Sequence, residues 1–230
     1  EYWSSFSDMM SGLLMIFILF LTITILQLNI QEDLLHDKEV LLQEKEDEVN
    51  RILGVRQMIV EQLRKEFEDS ELQLNIDPET GSITFSEGVF FDYDKYDIKD
   101  TGKNYLKSFI PKYIEVLLNE NNRQYISEII IEGHTDNQGS YMYNLELSQK
   151  RAFEVVKYIL SDEFGQLTKE ENEVLKSMLT ANGRSFSNPI MKEDRNIDVE
   201  KSRRVEFKFR LKDEEMIYQM QDLLGDENAK

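Results

Sequence analysis

One uncharged run, Met9–Gln31, constrains this chain more than any other stretch of it. At about 1.5 Å rise per residue, roughly 20 apolar residues in a helix cross the ~30 Å hydrocarbon core of a bilayer. The run therefore predicts a single membrane-spanning helix, which we assign to residues 1–30. It lacks the basic leading segment and the small-residue cleavage site of a signal peptide, so we expect a retained anchor.

Asp8 is the acidic residue at the start of this run, and Trp3 precedes it. Aromatic rings favour the headgroup level of a membrane, and a residue five positions further along a helix lies about 7.5 Å deeper. A carboxylate at that depth is costly unless it is protonated, paired or facing a wetted path, and such residues are usually functional. The alternative is that Asp8 caps the helix N-terminus, where an acid suits the helix dipole.

The charge and composition of the chain exclude several kinds of partner. The 230 residues include 45 acidic and 27 basic side chains, for a formal net charge of −18. Nucleic acid needs a basic footprint, so we expect no nucleic-acid partner. The chain has no cysteine and two histidines, His36 and His134, which lie in different predicted domains. We therefore expect no metal site, no cofactor and no enzymatic activity, and a structural role for His134.

Residues 31–71 predict a charged helical linker. Apolar residues recur there at intervals of three and four, which is the spacing of one helix face; they are Ile52, Val55, Ile59, Leu63 and Phe67. Charged residues fall on the same seam, so the stripe is too irregular for a regular coiled coil. Two interpretations stay open: a helix that dimerises or packs against the membrane or a partner subunit, which we prefer, and a solvated spacer helix.

From residue 72 the pattern changes to strands separated by helices. This pattern predicts the α+β class, with strands and helices packed as an α/β sandwich over residues 72–211. The predicted strands are Ser82–Phe91, Tyr125–Glu132, Leu179–Arg184 and Arg204–Leu211, and the predicted helices are Asp100–Asn119, Leu145–Ser161 and Lys169–Met178. Pro111 should kink or break the first of these helices. Residues 212–230 are predicted to form a C-terminal helix and tail.

The candidate binding site lies in Gly133–Arg151, where a buried strand ends, turns and enters a helix. Backbone N–H groups are free at a helix N-terminus, so such a junction suits ligand binding. Asp136 stands at the strand end and Arg151 lies within the helix. Together they would recognise a ligand that carries both an ammonium and a carboxylate, with the arginine as a bidentate fork. A structural salt bridge between them is the alternative.

Several motifs in this part of the chain resemble the OmpA-like peptidoglycan-binding domain. They are the string IIIEGHTD at residues 129–136 and, downstream, Gly139, Asn144, Leu147-Ser148, Arg151-Ala152, Val155, Gly183 and Arg203-Arg204-Val205. In that family an aspartate binds the ammonium, and an arginine the carboxylate, of diaminopimelate in the peptide stem. The resemblance implies these roles for Asp136 and Arg151. Supporting positions are Thr135, Asn144, Arg203 and, on a looser match, Asp92. The family's Asn-Arg-Arg-Val begins here with Ser202, whose side chain is shorter than that of the family's asparagine.

A spanning helix with an acid at its mouth, a helical linker and a wall-binding domain are together similar to MotB-type stator subunits. Trp3, Asp8 and Met9-Met10 resemble the start of their helix, whose aspartate carries the translocated ion. The resemblance implies a self-dimer, a surrounding multi-helix partner of the MotA/ZorA type (five around two) and peptidoglycan as anchor.

The same resemblance implies a location in the bacterial inner membrane, with a cytoplasmic N-terminus and a periplasmic C-terminal domain. Among such subunits, this short acidic chain is most similar to the MotB-like subunits of the Zorya anti-phage defence systems. The alternatives are a flagellar motility stator and a passive peptidoglycan tether without ion transport.

Overall fold

The computed structural model describes residues 2–68, 72 and 74–212, with side chains described from Met9 onwards. Helix α1 spans Tyr2–Glu68. The chain divides into two compact units, residues 1–51 and residues 52–230, and α1 contributes to both of them.

The first unit is the N-terminal part of α1. Its large apolar side chains between Met9 and Ile30 have exposed fractions between 42% and 77%. Within the described part of the chain, α1 is the helix that is long and apolar enough to cross a membrane. The hydroxyls of Thr22 and Thr24 donate to backbone carbonyls one turn earlier, at 2.7 and 2.8 Å. These polar groups are thus satisfied inside the helix, as a hydrocarbon environment requires.

The second unit is built on a five-stranded sheet with the strand order β1-β2-β5-β3-β4. The strands are β1 Asn75–Ile76, β2 Ile83–Ser86, β3 Ile126–His134, β4 Leu179–Gly183 and β5 Arg204–Leu211. The helices are α2 Glu87–Phe90, α3 Asp100–Leu118, α4 Tyr141–Ile159, α5 Lys169–Met178 and α6 Val199–Ser202. The β3–β4 pair is parallel and the other pairs are antiparallel. The predicted α+β class is confirmed.

An aromatic cluster forms the core between the sheet and α3. The rings of Phe85, Phe109 and Phe207 meet edge to face, with centroid separations of 5.0 to 5.4 Å. Pro111 follows in the same helix, which continues to Leu118 without a break. A proline inside a helix costs about 3 kcal/mol, and the burial of the aromatic and aliphatic residues around it offsets that cost.

The predicted strand Ser82–Phe91 is shorter than expected. It ends at Ser86, and the chain enters the helical turn α2. The backbone N–H of Glu87 donates to the carbonyl of Arg203 at 2.9 Å, and the two phenylalanines at residues 90 and 91 are buried. A straight strand would send these neighbouring rings to opposite faces of the sheet, whereas the turn buries both.

Helix α4 begins at Tyr141, four residues earlier than predicted. Ser140 caps it, because its hydroxyl oxygen accepts from the N–H of Tyr143 at 3.2 Å. Helix α5 and strand β5 have the predicted bounds. The helix predicted after residue 212 lies outside the described residues.

The last part of α1 packs within the second unit. The predicted stripe is buried at Ile52, Ile59, Leu63 and Phe67, and Val55 is half-buried. The ring of Phe67 stacks on that of Phe109 in α3 at 5.4 Å, and Gln62 accepts a hydrogen bond from buried Asn122 at 2.6 Å. The compact unit therefore begins at Ile52, whereas the sequence pattern places the start of the domain at residue 72. The stripe packs against this chain's own α3 and sheet.

Leu63→Ala tests this packing. Leu63 is fully buried, so we expect its truncation to lower the free energy of unfolding by about 2–5 kcal/mol. The measurement is urea unfolding of the whole chain in detergent, followed by circular dichroism. Leu53→Ala is the matched control, because Leu53 lies on the same helix and is 45% exposed. Equal effects of the two substitutions would show that this part of α1 is not part of the core.

Candidate functional site

Two glycines allow α4 to lie close to the sheet. A Cβ atom on Gly133 would lie 2.3 Å from the carbonyl oxygen of Ser148, and one on Gly183 would lie 2.5 Å from the backbone nitrogen of Gln149. The side-chain oxygen of Gln149 also accepts from the N–H of Gly183 at 2.7 Å. These contacts fix the position of α4 on β3 and β4, and with it the position of Arg151.

Asp136, Arg203, Glu87 and Arg151 form a chain of alternating charges, which we call the ion-pair chain. Arg203 Nη1 lies 3.4 Å from Asp136 Oδ2, and Arg203 Nε lies 3.9 Å from Glu87 Oε2. Arg151 Nη2 donates to Glu87 Oε1 at 2.7 Å. The structure thus brings three predicted site residues together and adds Glu87 to them.

The members of the ion-pair chain differ in their access to solvent. The side chain of Arg151 is 3% exposed, and that of Arg203 is 28% exposed. Arg151 Nε also donates to the carbonyl of Lys95 at 2.8 Å, and its guanidinium lies over the Phe91 ring, 5.4 Å from the centroid. Arg151, which was predicted to bind the ligand's carboxylate, therefore already pairs with Glu87. Arg203 is the more accessible of the two arginines.

Asn144 and Thr135 are both buried beside this chain of charges. The side-chain amide of Asn144 donates to the carbonyls of Gln138 and Ser140, at 2.7 and 3.1 Å, and so closes the turn that follows Asp136. The hydroxyl of Thr135 has no hydrogen-bond partner among the described residues. Asn144 therefore shapes the turn, whereas Thr135 offers a buried polar atom.

Asp92 does not join the ion-pair chain. The side chain of Asp92 is 75% exposed and lies 3.7 Å from Lys99 Nζ. The backbone of Asp8 lies in α1, and its side chain is outside the described residues. The sequence analysis does not predict Glu87 as a site residue. It predicts Ser82–Phe91 as a continuous strand, and no sequence feature marks this acid within it.

A second cluster of buried charges joins β3 to β5. Glu132 and Glu206 are directly opposite in the sheet, and ligand atoms of both and of His134 lie within 4.8 Å of one another. Like charges in this position are unfavourable. Lys208 Nζ lies 2.6 Å from each carboxylate, and Arg204 Nε lies 2.5 Å from Glu206. The Lys208 ammonium thus contacts both carboxylates.

The charges of this cluster shift the pKa values of its members. Burial alone would raise the pKa of Glu132, but the contacts with His134 and Lys208 and the charge of Arg184 outweigh it, and the pKa falls to about 2. Burial lowers the pKa of His134 despite the neighbouring carboxylates. At neutral pH we therefore expect an ionised Glu132 beside an uncharged imidazole.

Acidification should weaken the second unit through Glu132. Its folded pKa of about 2 lies below the ordinary 4.5, so its stabilising contribution is complete above about pH 4.5 and disappears as the pH falls towards 2. We expect Glu132→Gln to be less stable than the native chain at pH 7, with the gap closing below pH 4.5. Urea unfolding at a series of pH values measures this gap, and a gap that is constant with pH would contradict the assignment.

Residues 90–203 match the OmpA family. The matched range includes β3, α4 and three members of the ion-pair chain, Asp136, Arg151 and Arg203. The second unit therefore contains an OmpA-like domain.

The chain is also 29% identical to the Zorya protein ZorB of the Crooks strain of Escherichia coli, over 90% of this chain and 87% of that protein. A Zorya protein ZorB from a second Escherichia coli strain is 28% identical, over 92% of this chain and 82% of that protein. The solved periplasmic domain of Helicobacter pylori MotB is 20% identical over 66% of this chain and 97% of that one, with a TM-score of 0.44. The resemblance to the OmpA family and to the Zorya subunits is confirmed.

Proposed function

We propose that this chain is the peptidoglycan-anchored stator subunit of an ion-driven inner-membrane motor of the MotAB/ZorAB type, acting in anti-phage defence. The observation that carries the proposal is the similarity to two Zorya proteins ZorB over at least 90% of the chain. A match of that length is long enough to include the OmpA-like domain and a large part of helix α1.

On the membrane side, Asp8 carries the translocated ion. The exposed apolar surface of α1 is available for contact with the bilayer and with a polytopic partner of the MotA/ZorA type. Binding an ion neutralises the Asp8 carboxylate, and the loss of a buried charge changes the preferred packing of the partner. The membrane potential contributes ~2.3 kcal/mol per charge per 100 mV to each step. Two copies of this chain, with five partner subunits around them, form the motor.

On the wall side, the ion-pair chain binds the peptide stem of peptidoglycan. Its two acids and two arginines sum to zero charge. A ligand end that carries one ammonium and one carboxylate leaves this balance unchanged, which matters because an unpaired buried charge is strongly unfavourable. With the wall domain in the periplasm, the N-terminus of α1 lies in the cytoplasm.

Asp8→Asn should abolish phage protection in cells that express this chain with its polytopic partner. The amide cannot exchange a proton or bind a cation as strongly as the carboxylate, so ion transport should stop. It keeps the shape of the carboxylate, so assembly with the partner should persist. Plaque counts measure protection, and co-purification measures assembly. Asp33→Asn is the control, since Asp33 lies on the same helix beyond the apolar run. Full protection by the Asp8→Asn variant would exclude ion transport and leave a passive wall tether.

Asp136→Asn should weaken retention of the detergent-solubilised chain on purified sacculi by roughly tenfold, because the site loses the charge that pairs with an ammonium. Sedimentation of the sacculi measures the bound fraction. Arg210→Ala provides a control, since it removes one member of a different ion pair, Arg210–Glu128, in the same sheet. Unchanged retention of the Asp136→Asn variant would reject this site as the wall anchor.

A further inference from the structure

Arg203 is the loosely bound member of the ion-pair chain. Its nitrogens lie 3.4 Å from Asp136 and 3.9 Å from Glu87, longer than the roughly 2.7–2.9 Å of a charge-assisted hydrogen bond. Arg151, in contrast, makes a 2.7 Å contact with Glu87 and a second hydrogen bond to a backbone carbonyl. Arg203 is therefore a cation that lies between two carboxylates without being tightly held by either.

Glu87 has one satisfied and one unsatisfied oxygen. Its Oε1 accepts from Arg151, whereas its Oε2 is buried and has no hydrogen-bond partner among the described residues. A buried anionic oxygen without a donor is unfavourable. This oxygen lies 3.9 Å from Arg203 Nε, and Asp136 Oδ2 lies 3.4 Å from Nη1 of the same guanidinium. One cationic group thus lies near both acidic oxygens.

We infer that Glu87 and Asp136 form one ammonium subsite, and that Arg203 stands in for the ligand's ammonium in this structure. The inference rests on the proposed wall-binding function and adds Glu87 as a ligand-contacting residue. On binding, the side-chain ammonium of the stem peptide lies between the two carboxylates. Arg203 moves out to the carboxylate of the same ligand end, while Arg151 keeps its contacts with Glu87 and Lys95.

Charge pairing supports this exchange. Before binding, each of the two carboxylates faces Arg203; after binding, each faces the ligand's ammonium, and Arg203 faces the ligand's carboxylate. No buried charge loses its partner in either state, and the side chain that moves is the most exposed of the four. The subsite therefore selects stem peptides whose third residue has a free side-chain amine.

The test uses the whole chain in detergent and isothermal titration with three peptides. One is L-Ala-γ-D-Glu-meso-diaminopimelate, the second is the same tripeptide with its side-chain amine acetylated, and the third has lysine in place of diaminopimelate. We expect the native chain to bind the free-amine diaminopimelate peptide about tenfold more tightly than the acetylated one.

Glu87→Gln is the first variant. Glutamine keeps an oxygen for Arg151 and removes the negative charge, so we expect roughly tenfold weaker binding of the free-amine peptide and little change for the acetylated one. Glu128→Gln is the matched control, because Glu128 also pairs with an arginine, at 2.8 Å, and lies towards the other end of β3. Equal affinities of the Glu87→Gln and Glu128→Gln variants would overturn the inference.

Arg203→Gln is the second variant, and it separates the exchange from a purely structural role. Because the competing cation is removed, the lysine peptide, which has the amine and lacks the adjacent carboxylate, should bind at least as tightly as it does to the native chain. The diaminopimelate peptide should bind more weakly, because its carboxylate loses a partner. Equal weakening for both peptides would show that Arg203 only supports the fold of the site and would overturn the exchange.

The failure of this inference and that of the proposed function have different signatures. If the native chain binds the diaminopimelate peptide and Asp136→Asn abolishes binding while Glu87→Gln does not weaken it, the wall-binding site stands and the shared subsite is wrong. If the native chain binds none of the three peptides, both the wall-binding function and the subsite are wrong.

Discussion

The pairing of buried charges is the constraint on which the second unit depends. Moving an ion out of water costs several kcal/mol unless an opposite charge lies beside it. Glu87 comes from α2, Arg151 from α4 and Arg203 from the residue before β5, so a shift of any one element would leave a buried charge unpaired. The cluster around Lys208 applies the same constraint to β3 and β5. The same ion pairs therefore hold the elements of the fold in place and form the candidate site.

In the proposed function, this arrangement makes a buried site stable and lets it bind a ligand. Arg151 is fixed by two hydrogen bonds and by the close packing of α4 at Gly133, and it provides a rigid side to the site. Arg203 has longer contacts and more solvent access, so it provides the side that can move. In the proposed motor, this site must keep its hold on the wall while Asp8 changes charge at the other end of the chain.

Local patterns predicted the elements that depend on local chemistry. Helix α5 has its predicted bounds because Thr168 and Glu171 form a capping box, and β5 because apolar and charged residues alternate along it. The prediction was less accurate where contacts between residues far apart in the sequence determine the local structure. The turn α2 depends on burying both Phe90 and Phe91, and α3 continues through Pro111 because its neighbours are buried. The apolar stripe of α1 was predicted as a helix face, but the sequence does not say which surface covers it.

The sequence by itself determined the apolar helix, the acid at its mouth, the α+β class and the motif that carries Asp136 and Arg151. These follow from composition, periodicity and short spacings, which do not need distant contacts. The tertiary structure decided that α1 completes the core from Ile52 onwards, and that Arg203 and Glu87 link Asp136 to Arg151. Both outcomes depend on residues far apart in the chain, and only folding determines which buried charge lies beside which.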